Sequence, residues 1–190
     1  SVESATIPPN QLEVLVQAMA ARRGVIVAGT RSAVSDAERR AVEMLAERLG
    51  WPVLADHLSG VRGTHPCVVG YFDSLLRSPT AAAELRPDVV LHVGGLLASR
   101  VVNEWLAASG AVHIGLDRFG VIPDPDRLMT ERVIVDPALA LTQLADAEIE
   151  PAAPVWTQRW MAAGAAATDA IRETLSGEAA AVDAALRAVP

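Results

Sequence analysis

The residues best placed to do chemistry in this chain are basic and stand at the ends of apolar runs. Arg100 follows Ser99 shortly after the run Val89–Val93 and the pair Gly94-Gly95. That β-branched run reads as a strand buried on both faces, and Val101, Val102, Trp105 and Leu106 then fall on one helical stripe closed by Gly110. A strand, a glycine turn and a helix start leave unpaired N–H groups and the positive end of a helix dipole at the turn. Ser99 is a candidate cap there and Arg100 adds a full charge, so the pair is a candidate contact for an anion. Arg31, Arg62 and Arg118 stand at the ends of other predicted strands and form a candidate anion rim, for carboxylate or phosphate, on the same sheet edge. A plain βα turn with a solvated arginine accounts for the same residues, so the site depends on what the fold gathers.

Other chemistries are weakly supported. Asp56, His57 and His65 share a polar loop and could ligate a metal on paper, but no helical spacing presents them together, and no metal is expected. Ser59 does not stand in a G-x-S-x-G elbow, and Cys67, the single cysteine, reads as a buried small residue. Asp73, Glu84 and Glu104 read as solvated helix faces and Trp105 as core. All 16 basic residues are arginine, so a Schiff-base lysine and a P-loop lysine are both excluded. Gly29-Thr30-Arg31-Ser32 and Gly94-Gly95 occupy the right context for a dinucleotide but lack the G-x-G-x-x-G spacing, so NAD or FAD is poorly supported. A net charge of −7 argues against nucleic acid, and no window of the chain has the uncharged length of a membrane span. The polar, proline-bearing start does not resemble a signal peptide, and a cytoplasmic location is expected.

The elements that must position these residues alternate. Helices are expected from Asn10 as N-cap to Arg23, from Ser35 to Leu49, from Val68 to Arg77, from Ser78-Pro79 onward, from Ser99 to Gly110 and from Asp136-Pro137 to Ala145. Between them lie short strands at Val25–Ala28, Trp51–Ala55, Val89–Val93, Ala111–Leu116 and Arg132–Val135. Pro123-Asp124-Pro125-Asp126 signals a turn in the loop after Arg118. The alternation predicts an α/β fold: a doubly wound, Rossmann-like parallel sheet of five to six strands, with residues 1–146 as one domain. Residues 147–190 read as a linker and a C-terminal helical extension, in two segments broken near Ser176-Gly177.

Several stretches carry a resemblance. Gly50-Trp51-Pro52-Val53-Leu54-Ala55-Asp56-His57-Leu58-Ser59-Gly60-Val61-Arg62 and Gly94-Gly95-Leu96-Leu97-Ala98-Ser99-Arg100, continuing through Trp105-Leu106, are similar to the central domain of a thiamine-diphosphate enzyme family of menaquinone biosynthesis. That family is 2-succinyl-5-enolpyruvyl-6-hydroxy-3-cyclohexene-1-carboxylate synthase. Tyr71 to Pro79, Leu85 to Val90, and Asp117 to Gly120 with Asp124-Pro125 extend the likeness, which runs in order from about Gly24 to Leu144. The resemblance implies a middle domain between a pyrimidine-binding and a diphosphate-binding domain, with thiamine diphosphate and Mg²⁺ held by those partners. It implies a reaction in which 2-oxoglutarate is decarboxylated and its succinyl unit added to isochorismate. A family Ser-Lys motif, whose lysine meets a substrate carboxylate, falls on Ser99 and Arg100, which keeps the charge as a planar fork. No catalytic residue is expected in these 190 residues, and the fragment alone is expected to be inactive. Two alternatives stay open: a nucleotide-binding middle domain of another thiamine-diphosphate enzyme, and a free-standing anion or small-molecule binding module.

Overall fold

The computed structural model describes residues 6–20, 22–63, 65–120, 124–125 and 127–187. Pro123 and Asp126 of the expected turn, and the first five and last three residues, lie outside them. Five parallel strands form one sheet in the order β2-β1-β3-β4-β5. They are β1 (Gly24–Ala28), β2 (Val53–Ala55), β3 (Val89–Val93), β4 (Val112–Asp117) and β5 (Glu131–Ile134). Among the described residues the strand count takes the lower of the expected numbers. Every residue of β1, β2 and β3 is buried, as a sheet covered on both faces requires. The edge strand β5 buries only Val133.

Among the described residues seven helices connect and cover the sheet: α1 (Pro9–Met19), α2 (Asp36–Leu49), α3 (Phe72–Leu76), α4 (Pro79–Glu84), α5 (Arg100–Ser109), α6 (Pro137–Asp146) and α7 (Pro154–Arg187). One layer pairs α2 with α6; the other brings α3 against α5 and α7. The starts follow the predicted chemistry where a cap is available. Ser35 accepts from Glu38 N, and the Glu38 carboxylate accepts from Val34 N at 2.7 Å, a capping-box exchange displaced one residue upstream of the cap. Asp136 accepts from Ala138 N and Leu139 N ahead of Pro137.

Three expectations need correction. Asn10 is not the cap of α1: the helix begins at Pro9, whose fixed φ suits N1, and Pro8 O accepts from Gln11 N and Leu12 N. The helix expected over Val68–Arg77 is confined to Phe72–Leu76, because Val68 bridges to Val53 beside the sheet and Tyr71 turns left-handed at φ 50°. The tail does not break at Ser176-Gly177; α7 runs through both, with the Ser176 hydroxyl bonded back to Arg172 O at 2.8 Å.

The start of α7 belongs to the core. Trp156 and Trp160 are buried, and each meets a neighbour edge-on: Trp160 against Trp105 at 5.8 Å and Trp156 against Trp160 at 6.0 Å. Trp156 Nε1 donates to Gly24 O at 2.8 Å, tying α7 to the first residue of β1. Across the molecule, the Gln143 side-chain amide bonds both backbone groups of Ile7, at 2.9 and 3.0 Å, and pins the N-terminal segment to α6.

Candidate functional site

The parallel register aligns Ala28 with Ala55 and with Val93, so the loops after β1, β2 and β3 emerge at one edge. β1 is flanked by β2 on one side and β3 on the other, which makes the gap above β1 and β3 the topological switch point. Here the two glycine turns close on each other. Gly29 N donates to Val93 O at 2.9 Å and Gly95 N to Thr30 O at 2.8 Å. The Ser32 hydroxyl lies 2.7 Å from Val93 O, and His92 Nε2 donates to Gly95 O at 2.8 Å. A Cβ on Gly29 would stand 1.6 Å from Gly95 O. The glycines therefore serve a loop-to-loop approach, whereas in a dinucleotide site they would bring backbone to pyrophosphate.

Beside this closure lies a cleft of about 370 Å³, bordered by Arg31, Glu38, Gly94, Asp117, Arg118 and Pro137 among others. Of the rim arginines it gathers Arg31 and Arg118; Arg62 and Arg100 lie outside its lining. Arg118 is engaged: its Nη2 is 2.6 Å from Asp136 Oδ2 and 3.6 Å from Glu38 Oε1. Both acids sit at helix starts, so Arg118 bridges the N-termini of α2 and α6. Both helix dipoles at the cleft already face carboxylates.

The β3–α5 turn is built differently. Ser99 caps α5 by accepting from Val102 N at 3.2 Å, as its type and position predict, and its hydroxyl donates to Asp73 on α3. Asp56, at the end of β2, accepts from Ala98 N at 2.8 Å and from Leu58 N at 2.9 Å. Asn103 Nδ2 donates to Leu97 O at 3.0 Å. Arg100 is the first residue of α5; its side chain is 89% exposed and pairs with Glu104 at 2.7 Å. Such an exposed i,i+4 pair contributes little and releases its arginine readily.

The charges of this turn are set by contact. The Ser99 hydroxyl, outweighing the effect of burial and helped by Arg77, holds the Asp73 carboxyl below its ordinary range. Burial pushes Asp56 upward, but the Ala98 and Leu58 N–H groups, with His57 and Arg62, more than offset it and leave the net shift downward. Both groups stay ionised at neutral pH.

Asp73 is not the solvated carboxylate that its helical spacing predicts, since its neighbour in space comes from 26 positions along the chain. Asp56 and His57 stay together at 3.2 Å, but His65 turns to Glu47 at 3.3 Å and to Cys67 Sγ at 2.9 Å. Among the described residues no three His, Cys, Asp or Glu converge as metal ligands. Cys67 is buried, and burial with Glu43 and Glu47 nearby pushes its thiol up to about 12, so it stays protonated and inert. Trp105 is core, its Nε1 donating to Ala82 O at 2.9 Å.

Comparison with known proteins agrees with this architecture. The family model described as "Middle domain of thiamine pyrophosphate" matches residues 4–187. The chain is 32% identical over 182 residues to a 2-succinyl-5-enolpyruvyl-6-hydroxy-3-cyclohexene-1-carboxylate synthase of Haloquadratum walsbyi, a match covering 91% of this chain and 29% of that protein. It is 35% identical over 166 residues to the synthase of the same name from Geobacillus kaustophilus, covering 85% of this chain and 28% of the relative. With the Thermosynechococcus vestitus synthase the identity is 40% over 100 residues, 52% of this chain and 18% of the relative. The chain thus spans less than a third of the length of these relatives. With a five-stranded parallel sheet and a match across nearly its whole length, the chain belongs to the family of thiamine pyrophosphate enzyme middle domains.

Proposed function

We propose that this chain is the middle domain of a thiamine-diphosphate-dependent synthase that adds the succinyl-semialdehyde unit of 2-oxoglutarate to isochorismate in menaquinone biosynthesis. The observation that carries the reading is the similarity to synthases of that name over 91% of the chain. In this reading residues 1–146 are the domain, residues 147–190 lead onward, and pyrimidine-binding and diphosphate-binding domains complete the enzyme in the cytoplasm. No helix among the described residues is long and apolar enough to cross a membrane.

The donor set of the cleft does not fit thiamine diphosphate with its magnesium. Glu38 and Asp136, two of the acids beside it, are turned onto Arg118. We therefore assign cofactor and turnover to the outer domains and an inactive, substrate-orienting role to this one. The glycine closure above β1 and β3 weighs against the nucleotide-binding alternative, and the 32% identity to a synthase over 91% of the chain weighs against a module with an unrelated ligand.

Within this domain Ser99 and Arg100 carry the substrate role. The Ser99 cap and the Asp73 carboxylate occupy the helix end, so the exposed guanidinium of Arg100 is the group left to meet a substrate carboxylate. Both substrates are dianions, and a planar fork binds a carboxylate at two points. In the full-length enzyme, Arg100→Ala raises KM for the substrate it contacts by about 10- to 100-fold, the worth of a hydrogen bond to a charged group. Arg100→Lys recovers part of that loss. Steady-state kinetics with each substrate varied in turn checks this; unchanged KM for both removes Arg100 from the site.

A further inference from the structure

Three consecutive residues ahead of Arg100 are each held by a side chain of a different part of the fold. Leu97 O is held by Asn103 of α5, Ala98 N by Asp56 at the end of β2, and Ser99 Oγ by Asp73 of α3. Each carboxylate is itself anchored: Asp56 by Leu58 N at 2.9 Å, Asp73 by Arg77 Nε at 3.0 Å. Asp56 is only 4% exposed.

A helix start does not need this much. A serine oxygen on a first-turn N–H is a sufficient cap. Ser78 caps α4 through Ala81 N, with no carboxylate on its hydroxyl among the described residues. Burying one ionised acid and committing a second to a surface turn is costly unless their bonds fix something. What they fix is the backbone from which Arg100 springs. The Arg100 side chain is long and solvated, so where its head reaches depends on the backbone beneath it and on the direction of the first turn of α5.

We propose that Asp73 and Asp56 are positioning residues for Arg100, fixing the turn at 97–99 so that its guanidinium meets a substrate carboxylate; this rests on the reading that Arg100 makes that contact. Neither acid touches substrate. Asp73 acts through the Ser99 hydroxyl and Asp56 through the Ala98 amide, and the negative charge of Asp73 keeps the helix end from competing for the anion.

The test uses the full-length enzyme, with KM and kcat measured for Asp73→Ala, Asp73→Asn, Arg100→Ala and the Asp73→Ala/Arg100→Ala pair. Asp73→Ala is expected to raise KM for the substrate that Arg100→Ala affects by about tenfold, the value of one hydrogen bond to a charged group, with a smaller change in kcat. Asp73→Asn keeps a neutral oxygen acceptor for Ser99 and is expected to fall between the parent and Asp73→Ala, since a hydrogen bond to a charged group is roughly twice as strong as one to a neutral group. The pair is expected to be no worse than Arg100→Ala alone, because the positioning acts only through the arginine. Normal KM in Asp73→Ala beside raised KM in Arg100→Ala overturns the positioning role and leaves the function standing. Additive losses in the pair do the same. Normal KM in Arg100→Ala overturns the function itself, and the positioning role with it. If Asp73→Ala does not fold, Asp73→Ser replaces it and is compared with Arg100→Ala in the same way: raised KM for the shared substrate supports the proposal, and normal KM overturns it.

Discussion

Single residues at the sheet edge do work that their types alone do not announce. Gly29 and Gly94-Gly95 read as turn glycines with the wrong spacing for a dinucleotide, and the structure shows what they serve instead. Gly29 has no room for a Cβ, since Gly95 O would lie 1.6 Å away, and Gly94 sits at φ 80° with Ser32 Oγ 2.7 Å from any added Cβ. An acceptor fixed in the backbone cannot step aside as a flexible side chain does. Gly29→Ala is accordingly expected to lower stability by about 3 kcal/mol, the upper range of overpacking a dense site, read from urea unfolding midpoints. A loss below about 0.5 kcal/mol, the scatter of neutral surface changes, would show that the two loops are not packed as described. The Ser99 cap was legible because a cap is a local rule, with the serine, the turn and the helix contiguous in sequence. Asp73 and Asp56 were not, because their partners Ser99 and Ala98 lie 26 and 42 positions away. Helical spacing places a carboxylate on a face but cannot say what arrives opposite it.

Elements were legible in proportion to their periodicity. β1, β3, α2 and α5 emerge close to where apolar runs and caps place them, since both faces of the strands and one stripe of each helix are buried. α3 is shorter than its apolar spacing predicts because Val68 and Val69, apolar enough for a helix, face β2 and the core. Ser176-Gly177 resembles a stop, yet α7 continues through both residues. Only Gly carries a cost, as an exposed interior residue with open space where a Cβ would go. Gly177→Ala is thus expected to raise stability by about 0.5–1 kcal/mol, and helix content with it, through a smaller loss of backbone entropy. Far-UV circular dichroism through thermal unfolding measures it; a fall in helicity would place a break or a turn at Gly177 after all.

At the scale of the whole molecule, acid is the condition that separates the forces holding the sheet edge. Burial lowers the proton affinity of His92 and His113 from the ordinary 6.5, and among the described residues His113 Nε2 has no hydrogen-bond partner. Above pH 6.5 these rings are neutral in both folded and unfolded chains, so they carry no penalty. Below it the unfolded chain takes protons that the folded one refuses, and stability falls by at most about 2 kcal/mol per histidine at pH 5. The carboxylates act in a separate window. Asp56, Asp73, Asp88 and Asp124 are all held below the ordinary 3.8, so what they contribute is complete above that value. It is lost only as pH falls through their lower folded values. Overall charge works in the opposite sense between pH 7 and 5, because a chain of net charge −7 and pI near 5.1 repels itself less as it approaches neutrality. A single stability curve cannot divide these effects, but a difference of two curves can. His113→Leu removes the orphaned nitrogen and one titration while barely moving the net charge near neutral pH. Its urea midpoint is expected to fall less than the parent's between pH 6.5 and 5. Parallel curves across the upper window would mean that His113 takes its proton in the folded chain as easily as in the unfolded one, and that this corner of the sheet is wetter than its burial indicates.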